Sequence, residues 1–234
     1  MNKNSDTVIP ERKRGEGVKF VYEILREDIL NLVLPPGSPI DEIQLSERLS
    51  MSRTPIREAL VRLAGDGLVT TLPNRSTVVS NIDFLNMHHF FDAITLMYRV
   101  TTRLAAENRT AADLKNIRAH QAQFAQALKN RDALAMIATN RDFHMAIAEA
   151  GKNVYYTGLF SRLLDEGRRI LRLYYSSYDD EPPQRDTSGH DEMIEAIAAR
   201  DIELADRLAN KHADLIVGQI RSLLTQDRRQ NVPL

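Results

Sequence analysis

The chain has 234 residues, of which 43% are hydrophobic and 27% are charged, and its formal net charge is −1 at pH 7. A nearly neutral chain does not bind nucleic acid through bulk positive charge, so any such contact needs a local basic patch. The sequence has no cysteine, which excludes disulfide bonds and thiolate metal sites. It also lacks an apolar run of about 20 residues and a signal-peptide pattern. We therefore expect a cytoplasmic protein without a membrane partner.

The polar N-terminus precedes two predicted helices. Residues 1–16 are interpreted as a flexible arm, which either stays solvated or contacts DNA phosphates. Apolar side chains at helical spacing predict a first helix over residues 18–32, and the Leu-Pro-Pro-Gly segment at 34–37 ends it. Asp41 and Gln44 resemble a capping box at the start of a second, short helix.

The third predicted helix combines a clear start signal with basic side chains. Ser52 or Thr54 can cap it, and either choice places Pro55 in the first turn, where the missing N–H costs nothing. Arg53, Thr54 and Arg57 lie opposite the side that faces the core. The core-facing residues are Ile56, Leu60 and Leu63. Because the arginine fork matches O6 and N7 of guanine and a helix N-terminus attracts phosphate, this helix is suited to a DNA major groove.

Two short β-branched segments follow that helix. Residues 68–71 and 77–79 are separated by the polar stretch 72–76, which is typical of a β-hairpin, or wing. Arg75 at its tip either reaches the DNA backbone or minor groove or remains a solvated arginine. We therefore predict a winged helix-turn-helix domain over residues 17–81.

From residue 82 onward, helical periodicity dominates the sequence. Six helices joined by short connections predict an all-α bundle over residues 82–234, large enough to enclose a cavity. The predicted helices are 82–108, 111–129, 132–149, 154–178, 188–199 and 202–226. The predicted fold is thus mainly α, with a small winged domain followed by a six-helix bundle.

These segments resemble a known family of regulators. The segments that carry the resemblance of the first half to the GntR winged-helix domain are 34–37, 45–49, 52–63 and 67–69. The second half resembles the FCD effector domain of the FadR subfamily, and its six helices suit the VanR-like form. The residues that carry this second resemblance are Leu104–Glu107, Phe143, His144, Gly151–Asn153, His190, Ile194, Ala196, Ile197, Asp201, Ala205 and His212. Together the two matches cover nearly the whole chain.

The resemblance implies a homodimeric, ligand-responsive transcription regulator that binds double-stranded DNA at an inverted repeat. It implies base and phosphate contacts by Arg53 and Arg57, assisted by Arg48, Thr54 and Arg75. The sequence departs from the family after the wing arginine, where Ser76 replaces the usual glycine. Because glycine allows backbone angles that serine resists, this departure puts the wing-tip conformation in question.

Three histidines lie on otherwise apolar helix faces. His144, His190 and His212 are therefore expected to converge inside the bundle. Imidazole is a ligand for zinc, nickel, copper and iron, although a single inward histidine is more often a satisfied core residue. Their match to the FCD metal pattern favours a divalent metal, zinc first. Asn140 occupies the position of the family's fourth ligand, an aspartate, so we expect weaker metal affinity.

The effector contacts are less clear from the sequence. In the family, an arginine and a glutamate on the first bundle helix help to hold a carboxylate-bearing effector, but Ile94 and Tyr98 occupy these positions here. Arg99 and Arg103 lie near these positions but out of register with them, and for Arg168 and Arg169 of the fourth bundle helix a solvated or ion-paired face is the alternative. The candidate effector residues are Tyr98, Arg99, Arg103, Arg168 and Arg169.

Three functions compete at this point. The first is a repressor that a small carboxylate-type metabolite releases from a palindromic operator. The second is an enzyme in which the histidines hold a metal that activates water, against which the sequence has no His-Glu-x-x-His helix. The third is a DNA-binding protein whose bundle only dimerises. The resemblance favours the first, and we expect no enzymatic activity.

Overall fold

The computed structural model describes residues 16–73, 75–177 and 187–225. The predicted arm lies outside these residues except for Glu16. By their contacts the residues form two compact units. We call the unit up to Ile29 and over Val33–Asn81 the winged unit, and the unit of Leu30–Leu32 and the residues from Ile82 onward the helical unit.

The winged unit combines three helices with a small antiparallel sheet. Its elements are α1 (Glu16–Leu30), β1 (Pro39–Ile40), α2 (Glu42–Leu49), α3 (Arg53–Gly65), β2 (Val69–Thr71) and β3 (Thr77–Val79). The strand order is β1-β3-β2. The predicted helices and the two wing strands are present, with bounds shifted by one or two residues. Leu25, Ile29, Ile56 and Leu63 are fully buried, so apolar faces hold this unit together.

Strand β1 was not predicted. Pro39 lies opposite Val78 and Ile40 lies opposite Thr77 at one edge of the sheet. An edge position tolerates proline because the missing N–H is not needed for a ladder on the open side. A strand of two residues has no alternating pattern, so the sequence gives no signal for it.

The caps of α2 and α3 explain where these helices start. The Asp41 side chain accepts hydrogen bonds from the backbone N–H groups of Ile43 (2.7 Å) and Gln44 (3.2 Å). Ser52, rather than Thr54, is the N-cap of α3, although its side chain makes no capping hydrogen bond. Pro55 therefore lies in the first turn of α3, where a backbone N–H has no intrahelical partner.

The helical unit contains six helices among the described residues. They are α4 (Met87–Asn108), α5 (Ala111–Lys129), α6 (Ala133–Ala150), α7 (Val154–Ser176), α8 (Ser188–Ala199) and α9 (Ile202–Thr225). Helix α4 packs against α6, α7, α8 and α9, so it lies at the centre of the bundle. The predicted mainly α fold with a six-helix bundle is confirmed. None of the described helices combines the length and the apolarity that crossing a membrane requires.

The start of α4 differs from the prediction. The sequence analysis began this helix at residue 82, but it begins at Met87. The Asp83 carboxylate accepts hydrogen bonds from the Asn86 backbone N–H (3.2 Å) and the Asn86 side-chain amide (2.8 Å), which stabilises a turn before the helix. The predicted last residues of the fourth and sixth bundle helices, 178 and 226, lie outside the described part of the chain.

A capping box starts α5. The Thr110 hydroxyl accepts a hydrogen bond from the Asp113 backbone N–H, and the Asp113 carboxylate accepts one from the Thr110 backbone N–H (2.8 Å). Lys152 Nζ also donates to Asp113 Oδ1 (2.7 Å). The Lys152 ammonium and the Thr110 N–H lower the pKa of Asp113 to about 2, so this carboxylate is ionised at neutral pH.

Candidate functional site

The first turns of α3 present polar side chains on one side only. Arg53 and Thr54 are the first two residues of α3 and are exposed, as is Arg57 one turn later. The opposite side is buried in the winged unit. The structure therefore presents the three predicted DNA-reading side chains together, at a helix N-terminus.

Two of the predicted DNA-contacting arginines are paired with carboxylates in the protein alone. Arg57 Nε donates to Glu42 Oε2 (2.8 Å), and Arg48 Nη1 lies 2.7 Å from Asp28 Oδ2. Arg48 thus links α2 to α1, and Arg57 links α3 to α2. Both side chains keep about half or more of their surface exposed, 47% and 63% respectively, so a phosphate can still approach them.

The wing tip resolves the question that Ser76 raised. The Leu72 N–H donates to the Ser76 carbonyl, and the Arg75 N–H donates to the Leu72 carbonyl, each at 2.8 Å. The left-handed backbone conformation falls on Arg75 (φ 66°) and not on Ser76. The hairpin therefore needs no glycine at position 76. Instead Arg75 carries a strain of about 1 kcal/mol, and its side chain is exposed at the tip.

In the helical unit, three helices bring the predicted histidines together. His144 lies on α6, His190 on α8 and His212 on α9, and one potential ligand atom from each lies within 4.8 Å of the others. The distances between ring centroids are 4.6 Å for His144 and His212, 5.1 Å for His144 and His190, and 4.9 Å for His190 and His212. A single ion can contact all three after small side-chain rotations.

Neighbouring aromatic rings hold these imidazoles in place. Tyr98 of α4 packs edge-on against His144 (4.7 Å between centroids) and His212 (5.2 Å). Phe143 stacks on His190 at 4.2 Å and an interplanar angle of 22°. Gln121 Oε1 lies 2.9 Å from Nδ1 of His190. The cluster is therefore built into the core and is not a surface coincidence.

The cluster contains polar atoms that suit a metal ion. Asn140 and His144 are buried, and Oδ1 of Asn140 and Nε2 of His144 have no hydrogen-bond partner among the described residues. Burial lowers the pKa of His144 well below its usual value, and the neighbouring His212 and His190 lower it further. The ring is thus neutral at pH 7 and offers a lone pair. A buried polar atom without a partner costs about 1–3 kcal/mol, which a bound cation would offset, so these residues fit the implied metal.

A small cavity adjoins this cluster. It lies among α4, α6, α7 and α9 and has a volume of about 20 Å³, enough for one water molecule. Its polar lining includes Tyr98, Asn140, Arg141 and Arg168, and the rest of the lining is mostly apolar. Because Tyr98 and Asn140 also belong to the histidine cluster, the cavity connects that cluster to the Arg168 side chain.

The candidate effector arginines fall into two groups. Arg168 lines the cavity, and the neighbouring Arg169 is fully buried with its Nη1 donating to Glu166 Oε2 (2.9 Å). Burial raises the pKa of Glu166. By contrast, Arg99 forms a two-pronged ion pair with Asp206 (2.9 Å for both bonds), and Arg103 also approaches Asp206 (3.6 Å).

The structure places Arg99 and Arg103 apart from the other candidate effector residues. Both join α4 to α9 on the exposed side of the bundle, and the structure does not bring them to the histidines. Helical periodicity explains why, since residues one and five positions after Tyr98 point away from the face that Tyr98 occupies. Neither belongs to the effector site that we propose below.

The sequence analysis missed two polar residues near the cluster. Gln121 is buried between Ile117 and Phe124 on the apolar face of α5. A polar residue at an inward position of an apolar face indicates a buried polar contact, so the sequence could have identified it. Arg141 lines the cavity and donates to Asp165 Oδ1 (2.9 Å) and Ser161 Oγ (2.8 Å). No comparable signal marks Arg141, because arginine also occurs on exposed faces.

Comparison with known protein families agrees with this architecture. The model of the bacterial regulatory proteins of the gntR family matches residues 18–79, and the FCD domain model matches residues 91–215, more than half of the chain. The repressor RspR of Escherichia coli K12 is 24% identical over 204 residues, 87% of this chain and 88% of its own. The regulator LutR of Bacillus subtilis is 29% identical over 195 residues, 73% and 86% of the two chains.

Solved structures show the same fold. The structure of E. coli McbR/YncC has a TM-score of 0.78 and 20% identity, and it covers 89% of this chain and 99% of its own. A GntR regulator from Rhodococcus sp. RHA1 has a TM-score of 0.71 and 20% identity, with 91% and 100% covered. The relatives and domains are those of transcription regulators, which confirms a regulator over an enzyme. The chain belongs to the GntR family of bacterial transcription regulators, with an FCD domain as its helical unit.

Proposed function

We propose that this regulator is a homodimeric repressor that a small carboxylate-type metabolite releases from a palindromic operator. A divalent metal, zinc first and nickel or another transition metal second, helps to hold that metabolite in the helical unit. The observation that carries the proposal is that the buried His144 and His190 converge with the half-buried His212 beside Asn140, with potential imidazole ligand atoms within 4.8 Å of one another.

The protein supplies an incomplete ligand set for the metal. Three neutral imidazoles and the Asn140 carbonyl oxygen would hold the ion, and when bound it offers a Lewis-acid position for a carboxylate oxygen. Asn140 carries no charge, unlike an aspartate at the same position. The site is therefore less negative, which lowers metal affinity and increases the contribution of an anionic effector to holding the ion.

Arg168 is the best-placed partner for the effector's carboxylate. The family positions on α4 are occupied by Ile94 and Tyr98, which offer no charge. Arg168 lines the cavity beside Asn140 and donates from Nη2 to Asn31 Oδ1 at 3.3 Å. Arg141, on the same cavity, is held by shorter hydrogen bonds to Asp165 (2.9 Å) and Ser161 (2.8 Å). An arginine fork donates two parallel hydrogen bonds to a carboxylate, so we assign Arg168 to the effector and Arg169 to its ion pair with Glu166.

The DNA contacts follow from the exposed side chains of the winged unit. Arg53 and Thr54 contact base edges from the N-terminus of α3, Arg57 and Arg48 contact phosphates, and Arg75 reaches the DNA from the wing. A two-fold dimer demands an inverted repeat. The effector acts by favouring one arrangement of the dimer, with a coupling of about 1–3 kcal/mol. A relative, RspR, is named as a repressor, which supports repression over activation.

The metal is tested by elemental analysis. Wild-type protein purified with zinc should retain stoichiometric metal, whereas His144→Ala should lose it because one of three imidazole ligands is gone. The matched control is His88→Ala, an exposed histidine on α4, which should retain the metal. Equal metal content in wild type and His144→Ala would remove the site as proposed.

The regulatory response is tested on DNA. Fluorescence anisotropy should detect a dimer on a palindrome in the promoter of its own gene or of a neighbouring operon. Adding carboxylates to the metal-loaded protein should weaken binding about 5- to 150-fold for the right metabolite. A response to none of a broad panel of carboxylates and sugar acids would support the alternative in which the bundle only dimerises.

A further inference from the structure

A short chain of hydrogen bonds leads from the histidine cluster to the surface between α5 and α8. The Asp191 carboxylate accepts hydrogen bonds from Gln121 Nε2 (3.0 Å) and from Thr187 Oγ1 (2.7 Å). An ionised carboxylate only accepts hydrogen bonds. Asp191 therefore settles the orientation of the Gln121 amide, whose NH₂ group must face Asp191 and whose carbonyl oxygen must face the opposite way.

The carbonyl oxygen of Gln121 faces His190. It lies 2.9 Å from Nδ1 of that ring, and a carbonyl oxygen has no proton to donate. Nδ1 of His190 must therefore carry the proton, and in the neutral ring the lone pair lies on Nε2. Phe143 stacks on the same ring with 4.2 Å between the centroids. This contact fixes the orientation of the ring plane, and therefore the direction of the lone pair.

We propose that Gln121 is a positioning residue of the metal centre, acting through His190. It fixes the His190 tautomer and ring orientation, so that Nε2 and not Nδ1 is available as the ligand atom. The proposal rests on the metal site described under Proposed function. A partner that accepts a hydrogen bond from the second nitrogen of a ligating histidine raises metal affinity about 10- to 100-fold. Here that partner is a neutral amide whose orientation Asp191 sets.

The competing explanation is that Gln121 only satisfies buried polar groups between α5 and α8. Gln121 is 6% exposed, so its loss would then lower the stability of the metal-free protein and leave metal affinity unchanged. The two explanations differ in what they predict for zinc binding. Zinc affinity, measured on folded protein by competition with a chelator, is therefore the decisive quantity.

The test uses the full chain and Zn²⁺ alone. Gln121→Leu removes the acceptor while keeping a similar volume, and we expect zinc affinity to fall about 10- to 100-fold. Gln121→Glu restores an acceptor for Nδ1 but places a second carboxylate 3.0 Å from Asp191. The double variant Gln121→Glu/Asp191→Asn supplies an amide that can donate to this carboxylate, and it should recover most of that loss. The matched control is Gln123→Leu, an exposed position on the same helix, which should bind zinc as the wild type does.

Asp191→Asn provides a second variant, in which the substituted side chain is itself exposed. Asparagine offers both a donor and an acceptor, so it no longer forces the Gln121 orientation, and we expect a several-fold loss. If Gln121→Leu does not fold, this variant decides the question. Wild-type affinity in Gln121→Leu, or in Asp191→Asn when only that variant folds, would overturn the role of Gln121. Absence of zinc binding by the wild type would instead overturn the metal site itself.

Discussion

Arginines occur on α3 of the winged unit and on α7 of the helical unit, in opposite environments. Arg53 and Arg57 of α3 are exposed, and Arg57 forms an ion pair with the half-buried carboxylate of Glu42. Arg168 and Arg169 of α7 are buried, at 5% and 0% exposure. The same residue type therefore serves a surface that meets a charged partner in one unit and an interior that must be neutralised in the other.

The difference shows where each unit can tolerate change. An exposed arginine loses little hydration in the folded chain, so its removal affects binding more than folding. A buried arginine has given up its hydration, and its partner becomes an uncompensated charge when it is removed. We therefore expect the winged unit to tolerate replacement of the exposed Arg53 with little loss of stability, whereas replacement of the buried Arg169 should destabilise the helical unit.

The largest expected effect comes from Arg169→Ala. This substitution leaves the half-buried Glu166, whose side chain is 29% exposed, without its ion-pair partner. Breaking such a pair costs up to about 3–5 kcal/mol of unfolding free energy, the value for a fully buried pair. Urea denaturation of the metal-free protein measures it. The control is Arg162→Ala, an exposed position on α7, which should stay within about 0.5 kcal/mol of wild type. A loss below 1 kcal/mol for Arg169→Ala would remove the contrast between the two helices.

For Arg53→Ala we expect a smaller effect, which falls on DNA binding and not on stability. Operator binding should weaken by about 1–3 kcal/mol, because a bidentate contact to a base is lost. The unfolding free energy should change by less than about 0.5 kcal/mol, since Arg53 is exposed. Fluorescence anisotropy with the operator measures the change in binding free energy, and urea denaturation measures the change in unfolding free energy. If Arg53→Ala bound the operator as Arg162→Ala does, α3 would not be the reading helix.

The smallest expected effect is a loss of unfolding free energy on substitution of Asp113, a surface carboxylate of the helical unit. Asp113→Asn weakens the α5 capping box and the contact with Lys152, at a cost of about 1 kcal/mol at pH 7. Since the folded pKa of about 2 lies below the usual value of 3.8, this stabilisation is complete above pH 4 and is lost as the pH falls towards 2.

Thermal unfolding at several pH values tests this dependence. The difference between wild type and Asp113→Asn should shrink from pH 4 to pH 2, whereas Asp92→Asn, an exposed position on α4, should show no such trend. A difference that stayed constant across this range would mean that the contacts of Asp113 do not depend on its charge.

Local chemistry made much of the fold predictable from sequence. The start of α3 at Ser52–Pro55 follows from capping preferences, and the wing strands follow from β-branched residues around a polar tip. The convergence of the three histidines was also predictable, because each lies on an apolar helix face that must point inward. These features depend on neighbours within a few positions of the chain.

The parts that were missed depend on which elements meet in space. Helical spacing shows that Gln121 faces inward but not that it meets His190 on another helix. In the same way, charge alone does not separate Arg168, which lines the cavity, from Arg99, whose side chain binds Asp206. Strand β1 exists only because β3 offers it an edge. Long-range packing decides each of these cases.

The cavity beside the histidine cluster is much smaller than any carboxylate metabolite, at about 20 Å³. On the proposed function, a ligand bound there requires a looser packing of Leu164, Leu171 and their neighbours than this structure has. Observed affinity is then lower than intrinsic affinity by the fraction of time spent in that open form. Substitutions that enlarge the cavity are therefore expected to raise the observed affinity without adding any contact to the ligand.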